Sequence, residues 1–279
     1  MRKVLGICTC FNRKEKTLRA ISSLKNNSET EFHFIVVDDC SKDGTAEAVG
    51  VDSAVTVING TGNLFYSGGM NKGMTVAKEL ISKGAQYDYV LLYNDDVNFY
   101  PNSIFKMIES VEAIDADGCT AVAGSTVDTE GNYTYGGIVK LSNWKPNCKH
   151  VMSDGKMEEC DTCNGNCMLL PVNVFMSVPA MDDFYVHSLG DYDYGFSVTQ
   201  KGFKIIATNF YVGECEYDHE VKGSWQDMSL PFLKRLKLKE SLHGNPTKYW
   251  CYYLRKNYGL FSAIVYTCTD ILHLIVPRK

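Results

Sequence analysis

The sequence predicts an α/β protein built on a parallel, doubly wound sheet, and two observations carry that prediction. Four short apolar runs alternate with helix-period segments in a β-α-β-α-β-α-β series over residues 3–92, and such alternation folds as parallel strands joined by crossover helices. Two of the runs end in adjacent acids, Asp38-Asp39 and Asp95-Asp96. Ligands of open α/β sheets bind outside the carboxyl ends of strands, where paired carboxylates repel unless a cation or hydrogen-bond donors offset the charge.

Residues 3–10, KVLGICTC, read as the first strand. Phe11, Asn12 and a polar turn follow, then a helix with Leu18, Ile21 and Leu24 on one face. Residues 34–37 form the second strand, Asp43-Gly44 marks a turn, and Thr45 opens a short helix. After a third strand at 55–58 comes a glycine-rich stretch, 60–74. Met70, Met74, Ala77 and Ile81 then place a helix directly after Gly68 and Gly69, with Gly84 as its stop. Val90, Leu91 and Leu92 read as a strand buried on both faces that ends in Asn94, Asp95 and Asp96. Those acids fit either a divalent metal or a solvated turn before a helix near Pro101. The glycine pair would let backbone approach whatever lies between the two acid pairs.

At 279 residues, 45% hydrophobic and 22% charged, the chain has the composition of a soluble globular domain with an appendage, which excludes disorder and fibrous repeats. The net charge of -5 hides an asymmetry. Residues 231–279 carry nine Lys/Arg against two Asp/Glu, a local balance of +7, which leaves -12 for the rest. An acidic body argues against nucleic acid as a partner. The first ten residues lack a secretory pattern, and eleven cysteines without one read as reduced cytosolic thiols. Cys160, Cys163 and Cys167, with Cys148 and His150 upstream, could bind zinc, but small buried hydrophobes is the stronger reading. No G-x-G-x-x-G follows the first strand, and no G-x4-G-K-[ST] loop occurs anywhere.

Four motifs in order carry a resemblance. T-C-F-N-R (9–13), V-V-D-D-C-S-K-D-G-T (36–45), G-N-L-F-Y-S-G-G-M-N-K-G (62–73) and N-D-D-V (94–97) are similar to the segments of family 2 inverting glycosyltransferases with the GT-A fold. Within that family the chain resembles bacterial rhamnosyl- and galactosyltransferases of surface polysaccharides such as capsule or lipopolysaccharide. The resemblance covers about the first 220 residues. It implies a Rossmann-like, mostly parallel central sheet flanked by helices, and a donor site for a UDP- or dTDP-type sugar built from Thr9, Phe11, Arg13, Asp39, Gly68, Gly69, Asn71, Asn94 and Asp95. Thr9 and Asp39 would contact the base and Asp95 the ribose or sugar. Asp96 would hold Mn2+ or Mg2+ against the diphosphate, since a hard cation takes carboxylate oxygens and bridges phosphates. Asn94 replaces the first acid of the family's D-x-D. His219 falls where related enzymes place a second protein ligand of the metal.

Residues 120–127 read as a strand, Gly131-Asn132 with Gly136-Gly137 as a hairpin, and 144–159 as a loop over the site. Asn164, Gly165 and Asn166 fit either the pocket wall or an ordinary turn. Residues 191–201 read as a helix ended by Gly202. Asp191 therefore sits at its first turn, either as an N-terminal cap or, by the resemblance to the family's E-D-x-D, as the general base, while Asp193 caps the helix or orients neighbours. The expected organisation is a transferase domain at 1–225 and a helical extension at 226–279. Its apolar segment 260–276, interrupted by Asp270 and His273, is poor as a membrane span. It suits an interfacial helix on the inner face of the membrane, or a helix packed on the protein or a homodimer partner. The expected activity is metal-dependent transfer from a nucleotide-sugar donor to a glycan or lipid-linked acceptor. A sugar nucleotidyltransferase and a non-catalytic binding module are the alternatives, the first disfavoured because TCFNRKEK lacks a glycine-rich loop.

Overall fold

The apolar runs form one end of a large sheet, and each carries side chains for two cores. In a computed structural model that describes residues 1–115, 117–153, 155–217 and 221–276, Val4, Cys8, Leu91 and Tyr93 enter a core on one face. Leu5, Ile7, Val90 and Leu92 enter the core on the other. In chain order the elements are β1 (Arg2–Cys10), α1 (Lys14–Leu24), β2 (Thr30–Asp38), α2 (Thr45–Val49), β3 (Val55–Asn59), α3 (Phe65–Ser82), β4 (Tyr89–Tyr93), β5 (Asn98–Phe99) and α4 (Ser103–Glu112). They continue with β6 (Thr120–Val127), β7 (Gly137–Lys140), β8 (Cys148–His150), β9 (Glu158–Cys160), β10 (Thr162–Cys163), β11 (Cys167–Pro171), α5 (Val172–Ser177) and α6 (Gly190–Gln200). The last are β12 (Lys204–Glu214), α7 (Phe232–Lys239), α8 (Thr247–Tyr258) and α9 (Leu260–Leu272).

The strand order is β3-β2-β1-β4-β11-β6-β12-β5. Parallel pairs join β3, β2, β1 and β4, and β12 is parallel to β6. β11 runs antiparallel between β4 and β6, and β5 and β9 run antiparallel to β12. The α/β, mostly parallel sheet expected from the sequence is therefore present. The chain lays down β1, β2 and β3 outward, then crosses back to set β4 on the other flank of β1, with Ile7 level with Leu92. That reversal opens a crevice at the carboxyl ends of β1 and β4, where open α/β sheets take ligands.

Two expectations change, and the preferred reading of the cysteines holds. Gly68 and Gly69 lie inside the first turns of α3 rather than before it. A Cβ on Gly69 would collide with Thr9 Oγ1, and one on Gly73 would meet Ile7 at 2.7 Å, so these glycines let α3 lie against β1. The segment 144–159 does not cover the crevice. Trp144 packs on Phe261 and Tyr266 of α9, and the Val151 N–H donates to the Gly137 carbonyl. Cys160 and Cys163 belong to the core on one face of the sheet and Cys167 to the other, so the three serve as small core residues and cannot converge on one ion. The hairpin at 127–135 forms as expected, with the Thr134 N–H bonded to the Thr126 carbonyl at 3.0 Å.

The extension packs on α6 through an aromatic cluster of Tyr185, Phe196, Tyr249, Tyr253 and Tyr258. Beside it, Lys256 Nζ meets the buried Asp193 at 2.6 Å and Asn257 Nδ2 donates to the same carboxylate at 2.8 Å. Asp193 thus orients its neighbours, as expected.

The two adjacent glycines give a paired test. Gly69→Ala forces a methyl group into Thr9 and should destabilise the protein by about 1–3 kcal/mol. Gly68→Ala meets only Leu64 at 3.6 Å and should be neutral or stabilising by about 0.5 kcal/mol. Urea midpoints of the two variants should move in these directions, and equal shifts would contradict the packing role.

Candidate functional site

A cavity of about 610 Å³ occupies the crevice, a volume suited to a drug-sized or nucleotide-sized ligand. Its floor comes from the turns after β1 and β4. Arg13, just beyond β1, places Nη1 3.1 Å from Asp95 Oδ1 and 2.8 Å from Asp96 Oδ2. Asp95 is buried and also accepts from Thr17 Oγ1 at 3.4 Å. Burial pushes its carboxyl up to about 6, opposed by the Arg13 charge and reinforced by the charge of Asp96. Cys215, at the end of β12, reaches Asp96 Oδ1 at 3.7 Å. The two acids therefore already share one cation.

The walls come from widely separated places in the chain. Thr9 lines the cavity and donates to the Val37 carbonyl at 3.1 Å, and the half-exposed Phe11 stands beside it. Asp39 also lines it, but its carboxylate holds the entry to α3. Oδ1 accepts from the Gly62 N–H at 2.7 Å, and Oδ2 accepts from Leu64 at 2.8 Å and Phe65 at 3.0 Å. Opposite, the turn before β11 supplies Asn164 and Asn166, so the pocket-wall reading of those residues holds. The start of α6 supplies Asp191, whose Oδ2 accepts from the Gly165 N–H and Oδ1 from the Tyr192 N–H, both at 2.9 Å. The last wall carries His187 and, from the loop after α7, His243, with their ring nitrogens 3.3 Å apart.

Three buried polar atoms on this lining have no hydrogen-bond partner among the described residues: Asn94 Oδ1, Tyr66 Oη and His187 Nδ1. An unpaired buried polar atom costs about 1–3 kcal/mol, so three around one cavity point to a polar ligand. Burial raises the Tyr66 hydroxyl well above its usual range and the Asp191 charge adds to it. Burial and the neighbouring His243 bring His187 down to about 4, which keeps it neutral at physiological pH. Phe65 and Leu189, both on the lining, have φ of 52° and 72°. Such left-handed conformations of bulky residues cost about 1–3 kcal/mol each and cluster at ligand sites.

Of the site residues expected from the sequence, the crevice gathers Thr9, Phe11, Arg13, Asp39, Asn94, Asp95, Asp96 and Asp191. Gly68, Gly69 and Asn71 are off the lining. Gly69 lets α3 lie against Thr9, Gly68 meets only Leu64, and Asn71 donates its side-chain amide to the Met181 carbonyl. His219 lies outside the described residues. Sequence reasoning missed Tyr66, His187 and His243. Tyr66 stands two residues before Gly68 in the glycine-rich stretch, where a signal existed, whereas His187 and His243 are lone histidines in unrelated segments.

Residues 7–171 match the family model described as glycosyl transferase family 2. A stretch of 106 residues, 38% of the chain, is 26% identical to an uncharacterized glycosyltransferase of Haemophilus influenzae and spans a third of that protein's length. The whole chain superposes on 76% of the mannosyltransferase PcManGT from Pyrobaculum calidifontis, solved with GDP-Man and Mn2+, at TM-score 0.50 and 12% identity. Over 93% of the chain it resembles 58% of GalNAc-T7, solved with UDP, GalNAc and Mn2+, at TM-score 0.56 and 11% identity. These structural likenesses establish the fold, which is GT-A. The family match ends at Pro171, so Asp191, His187 and His243 come from chain beyond it.

The raised carboxyl of Asp95 has a pH consequence with a definite sign. An acid held above its ordinary value of 3.8 favours its neutral form in the fold, so its contribution to stability is full below 3.8 and is lost as pH rises through about 6. Arg13→Gln removes the charge that opposes burial and should move the Asp95 titration above 6. Carboxyl carbon shifts of the variant followed by NMR report this directly, and an unmoved midpoint would separate Arg13 from Asp95.

Proposed function

Because this chain belongs to glycosyl transferase family 2, we propose that it transfers a sugar, with inversion, from a UDP- or dTDP-type nucleoside-diphosphate sugar to a hydroxyl of a glycan or lipid-linked acceptor in cell-surface polysaccharide synthesis. The observation that carries the reading is the carboxylate pair of Asp95 and Asp96 closed on one cation at the β1/β4 crevice. The residues fit a divalent ion. Two carboxylates and the unpartnered Asn94 Oδ1 are hard oxygen donors, and the guanidinium already between the acids marks a place where positive charge is stable. Asp96 would hold Mn2+ or Mg2+ with Asp95 beside it, and His219 is proposed as a further ligand. When bound, the ion supplies charge that stabilises the departing nucleoside diphosphate.

The remaining work falls to side chains. Thr9 and Asp39 would contact the base, with Phe11 beside them on the wall. Arg13, displaced from the acids, would turn its donors to the diphosphate, which suits a planar guanidinium. Asp191 is a carboxylate on the cavity wall, set in place by two backbone N–H groups. It would take the acceptor's hydroxyl proton as the acceptor oxygen bonds to the anomeric carbon and the bond to the phosphate oxygen breaks on the opposite face, carrying its electron pair to the leaving group. Tyr66 and the neutral His187 would donate or accept hydrogen bonds to sugar hydroxyls. Transferase residues at 1–225 with a helical extension at 226–279 remains the proposed organisation, with His243 reaching the cavity from the extension.

Two substitutions test the roles. Asp191→Asn should lower turnover by about a hundredfold or more with donor binding little changed, measured as acceptor-dependent release of nucleoside diphosphate. Near-normal turnover would move the base elsewhere, and release of pyrophosphate would favour a nucleotidyltransferase. Asp96→Ala should abolish the Mn2+-dependent part of nucleoside-diphosphate binding in calorimetry, and unchanged affinity would overturn the metal assignment.

A further inference from the structure

Two helices of the extension are turned inside out. On α7 the buried side chains are cations. Arg235 donates to the carbonyls of Trp225, Leu274 and His273 at 2.9, 2.7 and 3.1 Å, and Lys239 meets Asp270 at 3.2 Å and Thr247 Oγ1 at 2.9 Å. The same helix leaves Leu233 76% exposed and Phe232 47% exposed. On α9 the inward side chains are Ser262, Ala263 and Asp270, while Leu260, Phe261, Ile264, Ile271 and Leu272 face outward. Their spacing makes one stripe, which Ile275 and Val276 extend past the helix end. The Arg235 bonds to residues 273 and 274 bring the two helices together there. A soluble helix buries its apolar side, and a contiguous apolar face of this size marks an interaction surface.

Charge selects the occupant. Lys234 and Lys237 on α7 and Lys248 and Arg255 on α8 are exposed, and the two acids in residues 231–276, Glu240 just past α7 and Asp270 on α9, are both paired with Lys239. A two-fold dimer through this face would set like charges against each other, whereas an anionic bilayer complements basic side chains beside an apolar stripe. Among the described residues no helix is long and apolar enough to cross a membrane. We propose that the α7–α9 face docks on an anionic lipid surface, with the apolar stripe in the headgroup layer and the lysines against the phosphates. The loop after α7 carries His243 into the cavity wall, so the bilayer would lie close to the cavity.

Flotation of the full chain with phosphatidylglycerol–phosphatidylcholine vesicles at low salt should show binding that weakens with added salt and is slight on phosphatidylcholine alone. Leu233→Gln, Phe261→Gln and Leu272→Gln together, all exposed positions, should lower partitioning about tenfold or more while nucleotide binding in calorimetry stays unchanged. Absence of binding by the wild-type chain, or equal binding by the triple variant, would overturn the inference. So would a dimer seen by light scattering that the same substitutions dissociate, which would assign the face to a second copy. Failure here leaves the transfer reading untouched.

Discussion

Asp95 and Asp96 stand side by side at the end of a strand that is buried on both faces, and the Arg13 guanidinium between their oxygens offsets charges that would otherwise repel. The Arg13 side chain is 43% exposed, so water screens part of the interaction and removing it costs less than the roughly 3–5 kcal/mol of a fully buried pair. The topology makes the pair. Only because the chain reverses its strand order between β3 and β4 do the turns after β1 and β4 become neighbours. The cation that neutralises the acids and the acids themselves thus come from opposite ends of the first four strands.

The far wall depends on the extension. Asp191 opens α6, and α6 is fastened by Lys256 and Asn257 of α8 gripping Asp193, two residues further on. Lys256 also meets Asp182 at 2.9 Å, so one lysine ties the helix that carries Asp191 to the segment leading to His187. The aromatic cluster beneath, with Tyr185 and Phe196 fully enclosed, keeps those two segments in one body. Substitutions in α8 would therefore reach the cavity through packing rather than through contact with a ligand.

The extension also shows how a core can be polar and its surface apolar without contradiction. Arg235 and Lys239 are tolerated inside because three backbone carbonyls accept from the guanidinium and the Glu240 and Asp270 carboxylates meet the ammonium, as burial of charge requires. Their aliphatic neighbours on the same helices then have only the outside left. The alternation of leucine and lysine in residues 233–239 is compatible with either orientation, and the internal partners select one.

Four strands, their order of appearance and the acid pairs at two of their ends were legible in the sequence, because apolar periodicity and adjacency are local properties that the chain writes in neighbouring residues. Asn94 to Asp96 needed no tertiary information to be singled out. What the sequence could not hold was every relation across distance. Arg13 meets Asp95 across 82 residues, Gly69 faces Thr9 instead of a ligand, and His187 meets His243 across 56. The three buried polar atoms left unpaired around the cavity emerge only once their neighbours are in place. The sequence by itself determined the layers of the fold and the chemistry at the ends of its strands. The tertiary structure alone decided which cation faces those acids, which glycines serve packing, and which way the last helices turn. The reason is that hydrogen-bond partners and steric contacts are fixed by the crossing of segments, not by their spacing along the chain.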